Sequence, residues 1–328
     1  MAILAPTGAP HAKILGIGGY RPSRVVPNSE IVDLIDSSDE WIRTRSGITE
    51  RRWATDDETV QMMSVAAARK ALDAAGLAPE QIDCVIVSTV SHFKQTPSAA
   101  ALIADELGCD HPAAFDISAA CAGFCHGISM ASDFVRGGSS RHVLVIGVER
   151  LSDLTDVHDR GTAFLFADGA GAAVVGPSET PGIGPVVWGS AGEQAELIDS
   201  ADWRDVPEGE QPWLRMNGNP VFRWASFEMA KVGREALDKA GISADELDCF
   251  VPHQANMRIV DALARSMKLP ESVQIARDIA TMGNTSAASI PLALERMIED
   301  GQAKSGDTAL FIAFGAGLVY AAQVVVVP

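Results

Sequence analysis

ALDAAGLAPEQIDC (71–84) and ALDKAGISADELDC (236–249) align without a gap at an offset of 165 residues, close to half of the 328-residue chain. Each reads as a helix end, a glycine stop, a polar loop and a strand. The units downstream match as well. Cys121 and Asn284 lie 163 apart, as do the helix-ending glycines Gly138 and Gly301, and RHVLVIGVER (141–150) corresponds to DTALFIAFGAG (307–317) as the strand leaving each helix. Ala-rich helices yield strings such as ALDAAG by chance, but paired Asp-Cys endings at Cys84 and Cys249 and a second constant offset do not follow from composition. The chain therefore reads as two copies of one α/β unit, with a loop deletion accounting for the two-residue change in offset. The expected division is a first half over 1–191, a polar linker or flap over 192–219, and a second half over 220–328.

The hydrophobic pattern fills in the elements. In the first half it predicts a strand at 13–18, helices at 28–36 and 59–75, a strand at 82–90, a helix at 98–107, a strand at 113–117, a helix at 122–136, a strand at 142–149, and hairpin-forming strands around 161–190. In the second half it predicts helix 220–240, strand 247–252, helix 256–267, strand 273–277, helix 285–300 and strands within 308–327. DGAGAA (168–173) and FGAGL (314–318) superficially match dinucleotide-binding glycine loops. Both are flanked by strand-like residues, with no following helix and no acidic residue at the required distance, so that reading fails.

Two halves packed about a pseudo-two-fold axis bring their equivalent loops face to face. Cys121 follows the apolar run FDISAA (115–120) and opens a small-residue helical stretch, which puts a thiol at a helix N-terminus, where the dipole and free N–H groups favour thiolate and can hold an oxyanion. Asn284, in MGNTSAAS (282–289), is its counterpart in the repeat, and His253, in VPHQAN (251–256), ends the preceding strand. Singly, such residues are ordinary: a core cysteine, a packed histidine, a helix N-cap. Together, at facing junctions, they make an acyl-transfer centre.

Composition narrows the class. A 47% hydrophobic content supports a large core, and the net charge of −17 argues against nucleic acid and an anionic membrane surface. No apolar stretch is long enough to span a bilayer, and the N-terminus lacks signal-peptide character, so a soluble cytoplasmic protein is expected. Five cysteines (84, 109, 121, 125, 249) show neither a disulfide framework nor zinc-ligand spacing. Neither a metal nor a cofactor is expected. One local basic face, carrying Arg258, Arg265 and Lys268 in NMRIVDALARSMKLP (256–270), could meet an acidic partner.

DISAACAGF, VPHQANMRI, GNTSAAS and FGAGLVYAA occur in one order, alongside SSDEWIRTRSGI (37–48) and DRGTAFLFADGAGAAV (159–174). Over nearly its whole length the chain resembles β-ketoacyl-acyl carrier protein synthase III, and its variants HFKQTPSAA (92–100) and VFRWASFEMAKVG (221–233) are most similar to the actinobacterial branch. The resemblance implies the thiolase-like fold, two related α/β halves in a five-layered αβαβα arrangement, and a homodimer. It implies decarboxylative condensation of an acyl-CoA, a substrate rather than a cofactor, with malonyl-acyl carrier protein, starting fatty-acid synthesis. Carried over by motif, Cys121 is the acyl-accepting nucleophile and His253 and Asn284 serve decarboxylation, their two neutral donors pointing at the enolate oxygen. The backbone of Cys121 and Ala316 forms the oxyanion hole. Trp41 and Arg160 sandwich the adenine, and Arg45 and Asn219 lie near the phosphates and pantetheine. Thr96 gates the acyl pocket, and Arg223, Gln254 and Arg258 dock the carrier protein.

Two departures from the family pattern matter. Ala316 replaces the central glycine of the common GGG turn, which leaves a backbone donor in place but narrows φ. Thr96 stands where acetyl-preferring members often carry Phe, so a branched or longer starter is expected. The alternatives are a synthase-III-like acyltransferase or polyketide starter-unit condensing enzyme of secondary metabolism, and a silent acyl-binding scaffold. Asn284 and an intact Arg258 count against a non-decarboxylating transferase, and the presence of Cys121, His253 and Asn284 together counts against a scaffold.

Overall fold

Gly76 and Gly241, the glycines of the two repeat copies, end their helices in the same left-handed conformation (φ 65° and 73°), with N–H groups returned to the last helical turn. The computed structural model describes residues 3–328. Along it run β1 (His11–Tyr20), β2 (Arg24–Pro27), α1 (Asp39–Ser46), β3 (Glu50–Trp53), α2 (Val60–Ala75), β4 (Cys84–Ser88), α3 (Ala99–Leu107), β5 (Ala113–Ile117), α4 (Gly123–Gly137), β6 (Val143–Arg150) and β7 (Asp168–Ser178). The chain continues through β8 (Val187–Ser190), β9 (Ile198–Ser200), β10 (Leu214–Met216), α5 (Gly218–Ala240), β11 (Cys249–Pro252), α6 (Met257–Met267), β12 (Gln274–Ile275), α7 (Ile279–Met282), α8 (Ser289–Glu299), β13 (Thr308–Gly315) and β14 (Val319–Val326).

The two five-stranded sheets share one plan. The first runs β1-β7-β6-β4-β5 and the second, from its corresponding edge, β8-β14-β13-β11-β12. In each, the first two pairings are antiparallel and the last two parallel. Strand residues alternate between faces, and both faces are covered, which is why these strands are almost wholly apolar. Val85 and Val87 pack outward with α2 and α3, while Ile86 packs inward with Phe124 and Ile128 of α4. Phe250 likewise faces α5 and α6, and Val251 faces inward. The inner core holds α4 and α8 between the sheets. The order is thus α2/α3, sheet, α4/α8, sheet, α5/α6: the five-layered αβαβα arrangement of two related halves.

Three local expectations are corrected. Residues 28–36 form only a 3-10 turn (Asn28–Glu30) and further turns. The Asn28 side chain is used instead to tie Asp39, the Ile48 carbonyl and Arg51 together. The helix falls at α1, capped by the Ser38 hydroxyl. β8, expected to join a hairpin of the first half, pairs with β14 and is the second sheet's counterpart of β1. The third correction concerns the repeat register. Ala120 and Ser286, each opening a 3-10 turn before the inner helix, carry matching φ values of 44° and 48°. The offset there is 166, so the counterpart of Cys121 is Ala287. The 163 offset holds only at the C-terminal ends, Gly138 and Gly301, because α8 is shorter than α4.

Candidate active site

Cys121, His253 and Asn284 open onto a single cavity of about 1310 Å³. Cys121 lies in the 3-10 turn Ala120–Ala122 that feeds α4, His253 follows β11 with its N–H on the Ile312 carbonyl, and Asn284 is pinned to the chain before β7 in both directions, through Leu165 O and Ala167 N. Their convergence comes from the stacking of the halves, not from the register first inferred.

Hydrogen bonds orient both polar side chains. The Ser286 N–H donates to Asn284 Oδ1 at 2.9 Å, which leaves the Asn284 amide NH₂ as the end free to donate into the site. Ser289 Oγ lies 2.7 Å from His253 Nδ1 and also receives the Gln254 N–H at 3.4 Å. When the serine hydroxyl donates to Nδ1, the neutral imidazole carries its own proton on Nε2. The Phe314 ring stands edge-on to the imidazole at 5.6 Å. Burial pushes the His253 pKa down to about 3, so the ring is neutral throughout the physiological range.

The thiol departs from expectation. Burial pushes Cys121 up to about 12, against the lowering effects of the Ser286 hydroxyl and its own main-chain N–H, and with a raising effect from Glu149. A helix terminus contributes about 0.3–1 kcal/mol, whereas three pKa units correspond to about 4 kcal/mol, so desolvation wins and the resting residue is a thiol. The turn after β13 closes against it. A Cβ on Gly315 would lie 2.7 Å from the Cys121 nitrogen, so only glycine permits this backbone approach, and Ala316 follows in the cavity wall.

Toward the mouth, Trp41, Arg45, Arg160 and Asn219 all line the cavity. The Arg160 guanidinium lies 4.9 Å and that of Arg45 5.8 Å from the centre of the Trp41 ring, which stands edge-on to Phe164. Arg258 lies over Phe222 at the same rim (5.1 Å), and Arg223 is exposed nearby on α5. One assignment does not fit the position found, and a second is not met within a single chain. Gln254 is buried, with its amide spent on Pro252 O, Ala276 O and Ile279 N, so it offers nothing to a docking protein. Thr96 is exposed on the loop before α3 and does not line this chain's cavity.

Residues 115–192 match the family described as 3-oxoacyl-[acyl-carrier-protein (ACP)] synthase III, and residues 237–327 match its C-terminal part. The chain is 62% identical over 325 residues to a β-ketoacyl-[acyl-carrier-protein] synthase III of Streptomyces glaucescens, covering 98% of each chain. It belongs to the β-ketoacyl-acyl carrier protein synthase III family. A mycobacterial member from Mycobacterium marinum is 51% identical, with 99% of this chain and 98% of that protein covered. Among solved structures, the priming β-ketosynthase from the R1128 polyketide biosynthetic pathway superposes with a TM-score of 0.97 at 49% identity, covering 100% of this chain and 99% of that one. The enzyme from Aquifex aeolicus gives 0.90 at 41%, covering 96% and 99%. These relatives make the chain an acyl-transferring condensing enzyme of the thiolase-like fold.

Within this synthase III site, sequence reasoning missed Ser286, Ser289, Arg215 and Glu149. The two serines stand in GNTSAAS (283–289), but only the fold shows which hydroxyl faces the histidine. Arg215, on β10, lines the cavity from the 192–219 segment, which lacks any periodic signal. Arg51, fully buried, holds the Val26 and Phe164 carbonyls and so fixes the wall beneath Trp41. Among the described residues no helix is long and apolar enough to cross a membrane.

Proposed function

We propose that this chain condenses a branched or longer acyl-CoA starter with malonyl-acyl carrier protein, releasing CO₂ and forming a 3-oxoacyl-acyl carrier protein. The observation that carries this reading is the shared cavity of one thiol and two neutral, oriented donors. Cys121 attacks the thioester, and the backbone of Cys121 and Ala316 holds the resulting oxyanion. After the starter has moved to sulfur, malonyl thioester loses CO₂ to an enolate, whose oxygen meets the Nε2–H of His253 and the amide of Asn284. Neither donor is charged, so neither is lost to protonation changes near neutral pH, and the nucleophilic carbon attacks acyl-Cys121.

The nucleotide of the starter is held at Trp41. A planar base between indole and guanidinium needs about 7 Å, twice a contact distance, and Arg160 sits at 4.9 Å. The arginine therefore swings outward to admit it. Arg223 and Arg258, neither with a carboxylate partner among the described residues, present the positive charge that meets an acidic carrier. A homodimer across the β5 edge completes the site: β5 has a free side and its Phe115 and Ile117 are only half-buried. The Thr96 loop is joined to this strand through Asp116, which receives the Ala99 and Ala100 N–H groups. In such a dimer Thr96 gates the neighbouring copy's acyl channel. A cytoplasmic location fits the five free cysteines.

The experiment is incubation with acyl-CoA and malonyl-acyl carrier protein, following acylation of Cys121, CO₂ release and product. Wild type should do all three, favour isobutyryl- over acetyl-CoA in kcat/KM, and lose acylation in Cys121→Ser. Acylation without CO₂ release would replace condensation by simple transfer. Arg258→Glu should raise KM for the carrier about tenfold without changing that for acyl-CoA. The likeness to a polyketide priming ketosynthase supports a second reading, the same chemistry on a polyketide carrier, and a higher kcat/KM with such a carrier would select it.

A further inference from the structure

Glu149, at the end of β6, is fully buried and has no role in the chemistry above. Its carboxylate receives the Val90 N–H (3.1 Å) and the hydroxyls of Ser91 (2.7 Å), Thr89 (3.3 Å) and Ser286 (3.3 Å). Among the described residues no cation forms an ion pair with it. Arg150 turns to Asp153, Asp168 on β7 turns to Ser152 and Ala54, and His92 and Lys94 lie on the loop that follows Ser91. Burial accordingly raises its pKa to about 7. Ser286 lines the same cavity as Cys121, and both its hydroxyl and the Glu149 charge act on the Cys121 thiol. Ser286 is held at φ 48°, an uncommon conformation for a serine, in the 3-10 turn packed against that of Cys121.

We infer that Glu149 is a positioning residue that stores the Cys121 proton, received through the Ser286 hydroxyl. When Cys121 attacks the thioester, its S–H bond breaks as the S–C bond forms. The proton passes to Ser286 Oγ while the serine's own proton moves to Glu149, and CoA leaves as a thiolate that takes a proton from water. When condensation later frees the Cys121 thiolate, the proton returns by the same route. The net negative charge beside the sulfur never exceeds one: it is one in the resting enzyme, zero in the acyl-enzyme and one again when condensation frees the sulfur. The buried site thus never holds thiolate and carboxylate together, and neutral His253 is left to its donor role. This inference rests on the assignment of Cys121 as nucleophile, but its test needs no acyl substrate.

The test is alkylation of Cys121 by iodoacetamide between pH 5 and 10, quantified by peptide mass spectrometry on the whole protein. Wild type should show a rise in rate centred near pH 7. Glu149→Gln should slow alkylation at pH 8 at least tenfold and move the rise above pH 9, and Ser286→Ala, with Glu149 intact, should do the same. If Glu149 merely burdens the thiol with its charge, Glu149→Gln will instead speed alkylation, and that result, or an unchanged profile in either variant, overturns the inference. Should Glu149→Gln fail to fold, Ser286→Ala decides alone. Alanine is suited to that backbone, since Ala120 holds the same conformation in the other half.

Discussion

The Ser289 hydroxyl sits 2.7 Å from Nδ1 of His253, where by donating it selects Nε2 as the nitrogen that carries the ring proton. Ser289→Ala removes that selection. With about 1 kcal/mol for a lost hydrogen bond, malonyl decarboxylation should fall roughly fivefold while Cys121 acylation stays within twofold of wild type. Single-turnover assays of each half-reaction separate the two, and equal losses would reduce the serine to a support of the fold.

Gly315 meets Cys121 backbone to backbone, and the 2.7 Å separation that a Cβ would have from the Cys121 nitrogen cannot be relieved by a side-chain rotation. Gly315→Ala must therefore displace one wall of the oxyanion site. Loss of an oxyanion donor costs about 3 kcal/mol, so kcat for acylation should drop about a hundredfold with CoA binding preserved. Retention of wild-type kcat would show that the oxyanion is held elsewhere.

The buried ionisable groups also give the fold a pH dependence. Glu149 has a folded pKa of about 7, above its ordinary value, so the native state binds the extra proton and the stability it confers fades as pH rises through roughly 4.5 to 7. His253, depressed to about 3, works oppositely: stability is lost as pH falls below roughly 6.5, where the unfolded chain takes up the proton. Glu149→Gln removes only the first effect. Relative to wild type, its Tm should therefore improve on going from pH 5 to pH 8, by about 5 °C if most of the roughly 3 kcal/mol is realised. A difference in Tm that is flat across this range would mean that the carboxyl is hydrated in solution.

Trp41 offers a ring already attended by two guanidinium groups. If the nucleotide stacks there, Trp41→Ala should raise KM for acyl-CoA about tenfold, in keeping with about 1–3 kcal/mol for a base on an aromatic face. KM for an acyl-N-acetylcysteamine, which lacks the nucleotide, should not change. Parallel increases for both substrates would point to collapse of the wall formed with Phe164.

Much of this was legible in the chain because it is local. The ALDAAG and ALDKAG stops, the apolar five-residue strands and the small-residue inner helices each carry their own signal within a dozen residues, and their duplication made the two-lobed architecture readable. What misled was also local. Residues 28–36 have a helical composition, yet Asn28 serves as a tie to Asp39, Ile48 and Arg51, and Val187–Ser190 follows β7 directly but completes the other sheet. A strand's partner depends on which open edge it meets, and nothing in four residues records that.

By itself, then, the order of residues determined two α/β copies and named the thiol, imidazole and amide, since motif and periodicity are properties of neighbouring positions. Tertiary structure alone decided their chemical states: Cys121 a thiol, His253 neutral and paired with Ser289, Glu149 bonded to a serine 137 positions away. The reason is physical. Protonation is set by dielectric and by hydrogen-bond partners, and both are supplied here by segments that meet only when the two halves close on one another.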